Sequence, residues 1–599
     1  MIRKIVRQLL LAQTLSTLTV SVCLIVDNIM IGNYLGVDAI AAYGLANPIL
    51  LVIGAVSSML TNGVQVVCSR SLGMGSQKET DKGYSSALML STWVSLMLLA
   101  LILVFRNPLT AALGAGSSEV LYNDTRNYLV GFGLGMPATI IGMILIPFLQ
   151  MAGKTTLLII SVLAMTVGDI AFDFLNVCVF HGGMLGMGLA SSLSYYLGIG
   201  ILLFYFCSKK CTFHFSRSLV SSQKIREILW GGIPCAVSLA SNVAFVLCVN
   251  YLLMYIGGSN AVAAFSVVCT AKYAFNCIST GSGGVALTLS GIFYHEGDHA
   301  GLREVLELLF RAACFLGLGI CALMLLFAPQ CVRLFIPESG SAQTMAVTGV
   351  RLYALGPLFC CIRNALQNTY QSLERIRLTN VISVCSSFFL PVLCALAFSC
   401  VLGINGVWMN FILGELLCLL GIALYLHLRG PFEKTTVDPG LSPSTLLSRL
   451  AEFFLSLPAS FDVPPEDRME FQIHTIEEAV TASSQAESFC LARGMTSKGS
   501  YHVAVCIEEM ATNTVKYGFS KQANRHLLVR LQYRDGKWVL RFRDDCHAFD
   551  PVSYVPKEGR ADGIRLLLAL ADEVRYTYSL NLNNLTLIFK ETLPDRESV

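Results

Sequence analysis

Residues 26–44 read VDNIMIGNYLGVDAIAAYG. They put a carboxylate, Asp27, near the end of an apolar run, then a Gly-marked break, then small residues that open the next run. YIGGSNAVAAFS at 255–266 repeats the small-residue pattern about 222 residues on, and LLIISV at 157–162 is echoed by LTNVISV at 378–384 at a similar offset. Agreement of two separated segments marks a duplicated unit. Copies holding an even number of spans run parallel, related by an axis along the membrane normal, and such bundles place a cavity between the halves.

A helix needs about 20 apolar residues to cross the bilayer core. Runs of that length centre near residues 20, 55, 96, 139, 168, 195, 243, 275, 318, 360, 390 and 416. The expectation is therefore twelve spans in two six-helix halves, with both ends on one side. Composition agrees, because 54% of the 599 residues are hydrophobic and only 14% are charged. Residues 431–599 nevertheless hold 42 of the 81 Asp, Glu, Lys and Arg. One module belongs in lipid and a second in water.

Short cytoplasmic loops accumulate Lys and Arg. The N-terminus, 69–85, Lys154, 208–229, Arg303, and Arg375 with Arg377 carry them, while 33–44, 181–185, 257–260 and 403–405 carry none. Both termini are therefore expected in the cytoplasm, on a multi-pass protein of the inner or plasma membrane. Arg3, Lys4 and Arg7 precede a run without a convincing cleavage site, so the first helix is read as uncleaved. The 21 cysteines lie largely in apolar segments and read as reduced core residues. A net charge of +3 gives no reason to expect nucleic acid.

Asp27 lies late in span one; Asp169 and Asp173, in MTVGDIAFDFLNVCVF, sit four apart on one face of span five. A carboxylate in the bilayer costs several kcal/mol, by estimates of roughly 3 upward, unless protonated, paired or lining water. Two like charges one turn apart in low dielectric leave one of the pair holding a proton near neutral pH. Such groups can load and release a proton, and their oxygens could equally cage sodium. Arg363 and Glu415 are also read as intramembrane, either as a structural ion pair or in a substrate role.

On VDNIMIGNYLGVDAIAAYG, the span-five pattern with Asp173, and GMLGMGLAS at 183–191, residues 1–430 resemble the multidrug and toxic compound extrusion (MATE) transporters. The resemblance implies twelve helices in two lobes and export of mostly cationic, amphipathic compounds in exchange for protons or sodium. It implies that Asp27, Asp173 and Ser191 form the ion-coupling cluster. Asp169 falls where relatives often have Asn, and Ala12 where many have a proline.

Past residue 430, GPFEKTTVDPGLSPS reads as linker, and TLLSRLAEFFLSLP at 445–458 as an amphipathic helix lying on the membrane or on a neighbouring domain. Strand and helix patterns then alternate: FQIHTI, a helix from 476, a helix through CIEEMATNTVKYG, the hairpin HLLVRLQY–RDGK–KWVLRFRDD, a helix GIRLLLALADEV, and VRYTYSL with LTLIFK. This predicts an α+β two-layer sandwich with helices on one side of a mixed sheet. Glu509 and Asn513 share a helix face; an Asn oxygen can ligate magnesium and a Glu can orient a nucleophile.

EEMATNTVKYG, RDDCHAFDP and GIRLLLALADEVRY together resemble the GHKL (Bergerat) ATPases, most closely the anti-sigma-factor serine kinases. The resemblance implies Mg-ATP held by Asn513 (metal), Asp544 (adenine) and Gly563 (phosphate), with Glu509 catalytic. Cys546 replaces a glycine, and Ala561-Asp562-Gly563 replaces Gly-Leu-Gly; both oppose tight nucleotide binding.

The chain is thus expected to divide at 1–215, 216–430, 431–467 and 468–599. The leading function is antiport-driven efflux of small compounds, with a cytoplasmic nucleotide-binding domain that regulates it or a partner protein. A membrane-tethered serine kinase or partner-switch protein is the alternative, and a lipid-linked sugar flippase ranks last.

Overall fold

The computed structural model describes residues 1–115, 118–208, 211–333, 335–336, 340–354, 356–428, 445–458, 461, 463–519, 525–534, 536–552, 554 and 563–590. The 430–444 linker, Asp535 of the hairpin turn, and Ala561 with Asp562 lie outside the described residues.

The apolar runs form α1 (Ile2–Met30), α2 (Val37–Gly73), α3 (Gln77–Ala112), α4 (Glu119–Gly133), α5 (Met136–Met151), α6 (Thr155–Leu175) and α7 (Gly183–Phe206) in the first half. The second half holds α8 (Ser222–Glu296), α9 (His299–Arg333), α10 (Ser341–Tyr353), α11 (Pro357–Ser372), α12 (Ile376–Val384), α13 (Leu390–Leu402), α14 (Ile404–Trp408) and α15 (Asn410–Leu428). Among the described residues 9 helices can cross a membrane by length and composition, or 11 when each of two bent pairs, α4 with α5 and α10 with α11, is one span. As a straight rod the 75-residue α8 would be about 110 Å long. It breaks at Gly258, where φ is +65°. A Cβ on Gly63 of α2 would meet the Ile228 carbonyl, and one on Gly73 would meet the Ile292 carbonyl. The two arms of α8 therefore lie side by side as two spans, which completes the twelve.

The halves meet at the end that carries the basic loops. There the Arg70 guanidinium lies 2.9 Å from Glu374 across the two halves, and Gln65 donates to Thr288. Glycine is what permits this approach of backbone to backbone. Gly63→Val is expected to destabilise the protein by about 1–3 kcal/mol through overpacking, whereas Gly54→Val, with open space around the added Cβ, should not. Thermal unfolding of the two variants in detergent compares them directly.

The helix α16 (Leu446–Leu455) packs one face on the second half. Ala451 and Leu455 are fully buried in the transmembrane core cluster, Tyr370 donates to the Phe454 carbonyl at 2.7 Å, and His299 lies 3.0 Å from Glu452. Leu446, Leu450 and Phe453 on its other side stay exposed.

The remaining described chain forms β1 (Arg468–Ile473), α17 (Ile476–Ala492), α18 (Ser497–Asn513), β2 (Leu527–Arg534), β3 (Lys537–Asp544), α19 (Gly563–Leu570), β4 (Glu573–Ser579) and β5 (Leu582–Phe589). Thr475 and Glu478 close a capping box at the start of α17, and Thr496 caps α18. The sheet order is β1-β2-β3-β5-β4 and every pairing is antiparallel, which corrects the mixed sheet expected from sequence. Alternation identifies a strand but carries no direction; direction here follows from β5 returning through a two-residue turn to lie between β3 and β4. The last helix is also shorter than its pattern, because Glu573 and Val574 pair into β4. The helices cover one face, over Val529, Leu531, Trp538, Leu540, Phe542 and Leu587. Alternate positions on the other face carry Arg530, Arg541, Arg543 and Arg575.

Candidate functional site

Three intramembrane carboxyls converge. Asp27 from α1 and Asp169 and Asp173 from α6 are buried, and one carboxylate oxygen from each lies within 4.8 Å of the others. Asp27 and Asp173 lie within hydrogen-bonding reach of each other. Both are acceptors when ionised, so their contact needs a proton or a cation between them. Asp27 Oδ1 and both oxygens of Asp173 have no other protein partner. Asp169 is better held: Ser194 donates to it at 3.0 Å, and the Cys23 thiol stands close by.

The local folding follows from the sequence. Cys23 and Asp27 are one turn apart on α1, so both reach α6. Each acid-bearing helix then widens into a π-turn, Ile31–Leu35 after Asp27 and Asn176–Phe180 after Asp173; such bulges gather at functional sites. Asn176 donates to the Gly183 carbonyl at 3.2 Å and packs where any side chain at position 186 would stand. That contact is why GMLGMGLAS needs glycine at 186. Helix α1 runs unbroken through Ala12, as a helix without an internal proline can.

Ser191 is buried on α7 one turn before Ser194, and its hydroxyl donates back to the Met187 carbonyl at 3.4 Å. The hydroxyl on the carboxylate belongs to Ser194. Neither Ser194 nor Cys23 was singled out from the sequence, although Cys23 is readable as the i−4 neighbour of Asp27.

In the second half Arg363 and Glu415 pair at 2.5 Å, and Arg363 also donates to Gln367 at 2.7 Å. They line a cavity of about 460 Å³ between the halves, with Gln13, Asn62, Asn242 and Lys272. Lys272 was also missed; KYAFN inside an apolar run was its signal.

In the sheet domain, Glu509 is exposed and Asn513 half-buried at the end of α18. Asp544 is buried at the end of β3. Its Oδ1 accepts from Asn583 at 2.8 Å and from the Cys546 amide at 2.9 Å. Burial pushes the Asp544 carboxyl up, and those bonds restrain the rise. Asn583, absent from the sequence reading, fixes the orientation of the acid while accepting from Tyr576 at 2.8 Å. Cys546 is buried against Gly518, which has no side chain to collide with it; burial and the neighbouring Asp544 push its thiol up to about 12, so it is a neutral filler. A held carboxylate and a Glu/Asn pair at the end of α18 have the chemistry to take adenine and magnesium, with the Cys546 thiol standing beside the carboxylate. Gly563 begins α19.

The sheet domain docks on the membrane helices through its arginine face. Arg543 pairs with Glu296 and, at 3.4 Å, with Asp298; Arg530 pairs with Asp298 at 3.1 Å; Arg541 donates to the Glu296 carbonyl at 3.1 Å. Burial opposes charge on Asp298, yet Arg530 and Arg543 override it and hold its carboxyl well below the usual range. These contacts are with the second half. The β4–β5 turn reaches the first: Leu580 N donates to the Met151 carbonyl at 2.6 Å, Asn581 to the Gly153 carbonyl at 2.8 Å, and Arg575 to the Met74 carbonyl at 3.1 Å. Leu580 adopts a left-handed conformation, φ +57°, uncommon for leucine, and its side chain is buried among the membrane helices.

Residues 13–175 and 234–396 each match the sequence model of the MatE family, so the duplication is visible there too, and residues 474–589 match the histidine kinase-like ATPase domain. Probable multidrug resistance proteins NorM of Listeria monocytogenes and Listeria innocua are each 25% identical over 263 and 264 residues, which is 42% of this chain and 56% of theirs. The chain thus spans little more than half the length of these curated relatives. An outward-facing multidrug resistance MATE family transporter of the MOP superfamily superposes with a TM-score of 0.66 at 18% identity, covering 72% of this chain and 96% of that one. A MOP superfamily transporter from Pyrococcus furiosus gives the same four values. At these identities the likeness establishes the fold.

Proposed function

The chain belongs to the MatE family, and from that premise we propose that it exports small organic compounds across the inner or plasma membrane in exchange for protons or sodium. The observation that carries this reading is the carboxyl cluster: three buried acids, three of their oxygens with no hydrogen-bond donor outside the cluster and, among the described residues, no cationic side chain bonded to any of them. A proton or sodium ion would satisfy those oxygens, and its release would leave like charges facing one another in low dielectric. The ion is therefore bound and expelled as access alternates. The basic loops favour a cytoplasmic side for both termini, which would turn the end joined by Arg70 and Glu374 inward.

The sheet domain is read as a regulator of the attached transporter. Mg-ATP would be held by Asp544 through adenine, Asn513 through the metal and Gly563 at a helix N-terminus, and it would supply either binding energy or a phosphoryl group, with Glu509 orienting the acceptor. Docking across both halves favours regulation in cis over a kinase that uses the helices only as anchor, while a cytoplasmic partner protein would have to compete for the same face. The flippase reading stays last, since Glu415 neutralises one of two cavity cations.

Export into inside-out vesicles under imposed pH or sodium gradients, with and without Mg-ATP, tests the reading; no response to either gradient would refute it. Nucleotide binding is checked separately on the full chain with a fluorescent ATP analogue. Asn583→Ala is expected to weaken binding roughly tenfold by unfastening Asp544, a loss of about 1–2 kcal/mol. Equal binding by this variant and by Asp544→Ala and the parent would remove the adenine assignment.

A further inference from the structure

Lys272 stands about 21 Å along its arm of α8 from the break at Gly258, well inside the membrane-spanning region. It lines the central cavity. Its ammonium lies 5.6 Å from the ring centres of both Phe245 and Phe411, and no described carboxylate is within ion-pair distance. Glu415, the acid that shares the cavity, is committed to Arg363 through two bonds of 2.5 and 3.2 Å. Among the described lining residues these three are the charged ones, so the cavity carries one uncompensated positive charge.

An intramembrane lysine is costly and marks a substrate or ion path by default. Ring faces offset part of that cost; a bound anion would offset the rest, and a cation would add to it. The walls carry amides from both halves, Gln13 and Asn62 from the first and Asn242, Asn276 and Asn364 from the second. A lipophilic solute would strip these groups of water without replacing the bonds, at a loss for each one. We propose that the central cavity binds a small hydrophilic organic anion, with its carboxylate or equivalent mono-anionic group on Lys272 and its polar groups on the surrounding amides. The proposal narrows the cargo of the transporter reading and rests on that reading only for movement, not for binding. It departs from the cationic, amphipathic cargo that the family resemblance implied.

The test measures equilibrium binding and gradient-driven uptake of two radiolabelled probes by the full chain: p-aminohippurate, a hydrophilic mono-anion, and tetraethylammonium, a cation. p-Aminohippurate should bind in preference. Lys272→Met should weaken that binding roughly 10- to 100-fold, the worth of a hydrogen bond to a charged group, and Lys272→Arg should retain most of it, which separates lost charge from lost folding. Preference for tetraethylammonium, binding of neither probe, or equal anion binding by Lys272→Met overturns the proposal. Anion binding that depends on Lys272 without uptake under either gradient upholds the site while refuting the transport reading. Uptake with binding indifferent to Lys272 does the reverse.

Discussion

Asp173→Asn is expected to reduce gradient-driven export to background while leaving the protein folded. Asn has nearly the shape of Asp and cannot take up or release a proton or carry the charge a sodium ion needs. Apart from the neighbouring Asp27 carboxyl, no described group donates to the oxygens of Asp173, so the substitution takes little from the fold and the ion is what they serve. Asp27→Asn should behave in the same way. Asp169→Asn should be milder, because an amide oxygen can still accept from Ser194, and its effect should fall on ion choice or stoichiometry. Vesicle transport under imposed gradients, with size-exclusion profiles as the folding control, reads all three. Wild-type gradient response in Asp173→Asn would remove the coupling assignment.

Arg543→Glu is expected to release the sheet domain from the helices. It removes one partner of a buried ion-pair network and sets a second carboxylate against Glu296 and Asp298; breaking a buried pair costs about 3–5 kcal/mol. Hydrogen exchange should rise at Met151–Gly153 and at Glu296–Asp298 together, although the first segment does not touch Arg543, because one rigid sheet holds both. Unchanged protection at Met151–Gly153 would show that the hairpin docks independently. If docking holds the two halves closed at the cytoplasmic end, release should also change the export rate. The pH response has a definite sign. Asp298 is held below its unfolded value, so its contribution is fully present above about pH 4 and is lost only as pH falls through the depressed folded value. Docking should be constant from pH 5 to 8.

Much of this arrangement was legible because its signals are local. A span declares itself by length and hydropathy, the duplication by two matching segments, and Asp169 with Asp173 by a spacing of four. The rest depends on what tertiary contact brings near. Ser194 and Asn583 are ordinary polar residues until a carboxylate arrives beside them. Lys272 was hidden by the long apolar run around it. Arg541 and Arg543 share a strand face by their period of two and the hairpin sets Arg530 beside them, but nothing near them in sequence names Glu296 and Asp298 as partners. The mixed sheet expected from sequence failed for the related reason that strand patterns are blind to direction.

The docked position of α16 sets the strength needed of the sheet domain's own contacts. With Leu455 fixed in the helical core and Arg468 opening β1, only about a dozen residues separate the anchor from the sheet. A tether that short gives an effective concentration in the millimolar range. The arginine face therefore needs only millimolar intrinsic affinity to stay half engaged, and small changes in that affinity, such as nucleotide occupancy could produce, would shift occupancy steeply. A separate protein competing for the same face must instead overcome a local concentration that its own dilution never matches.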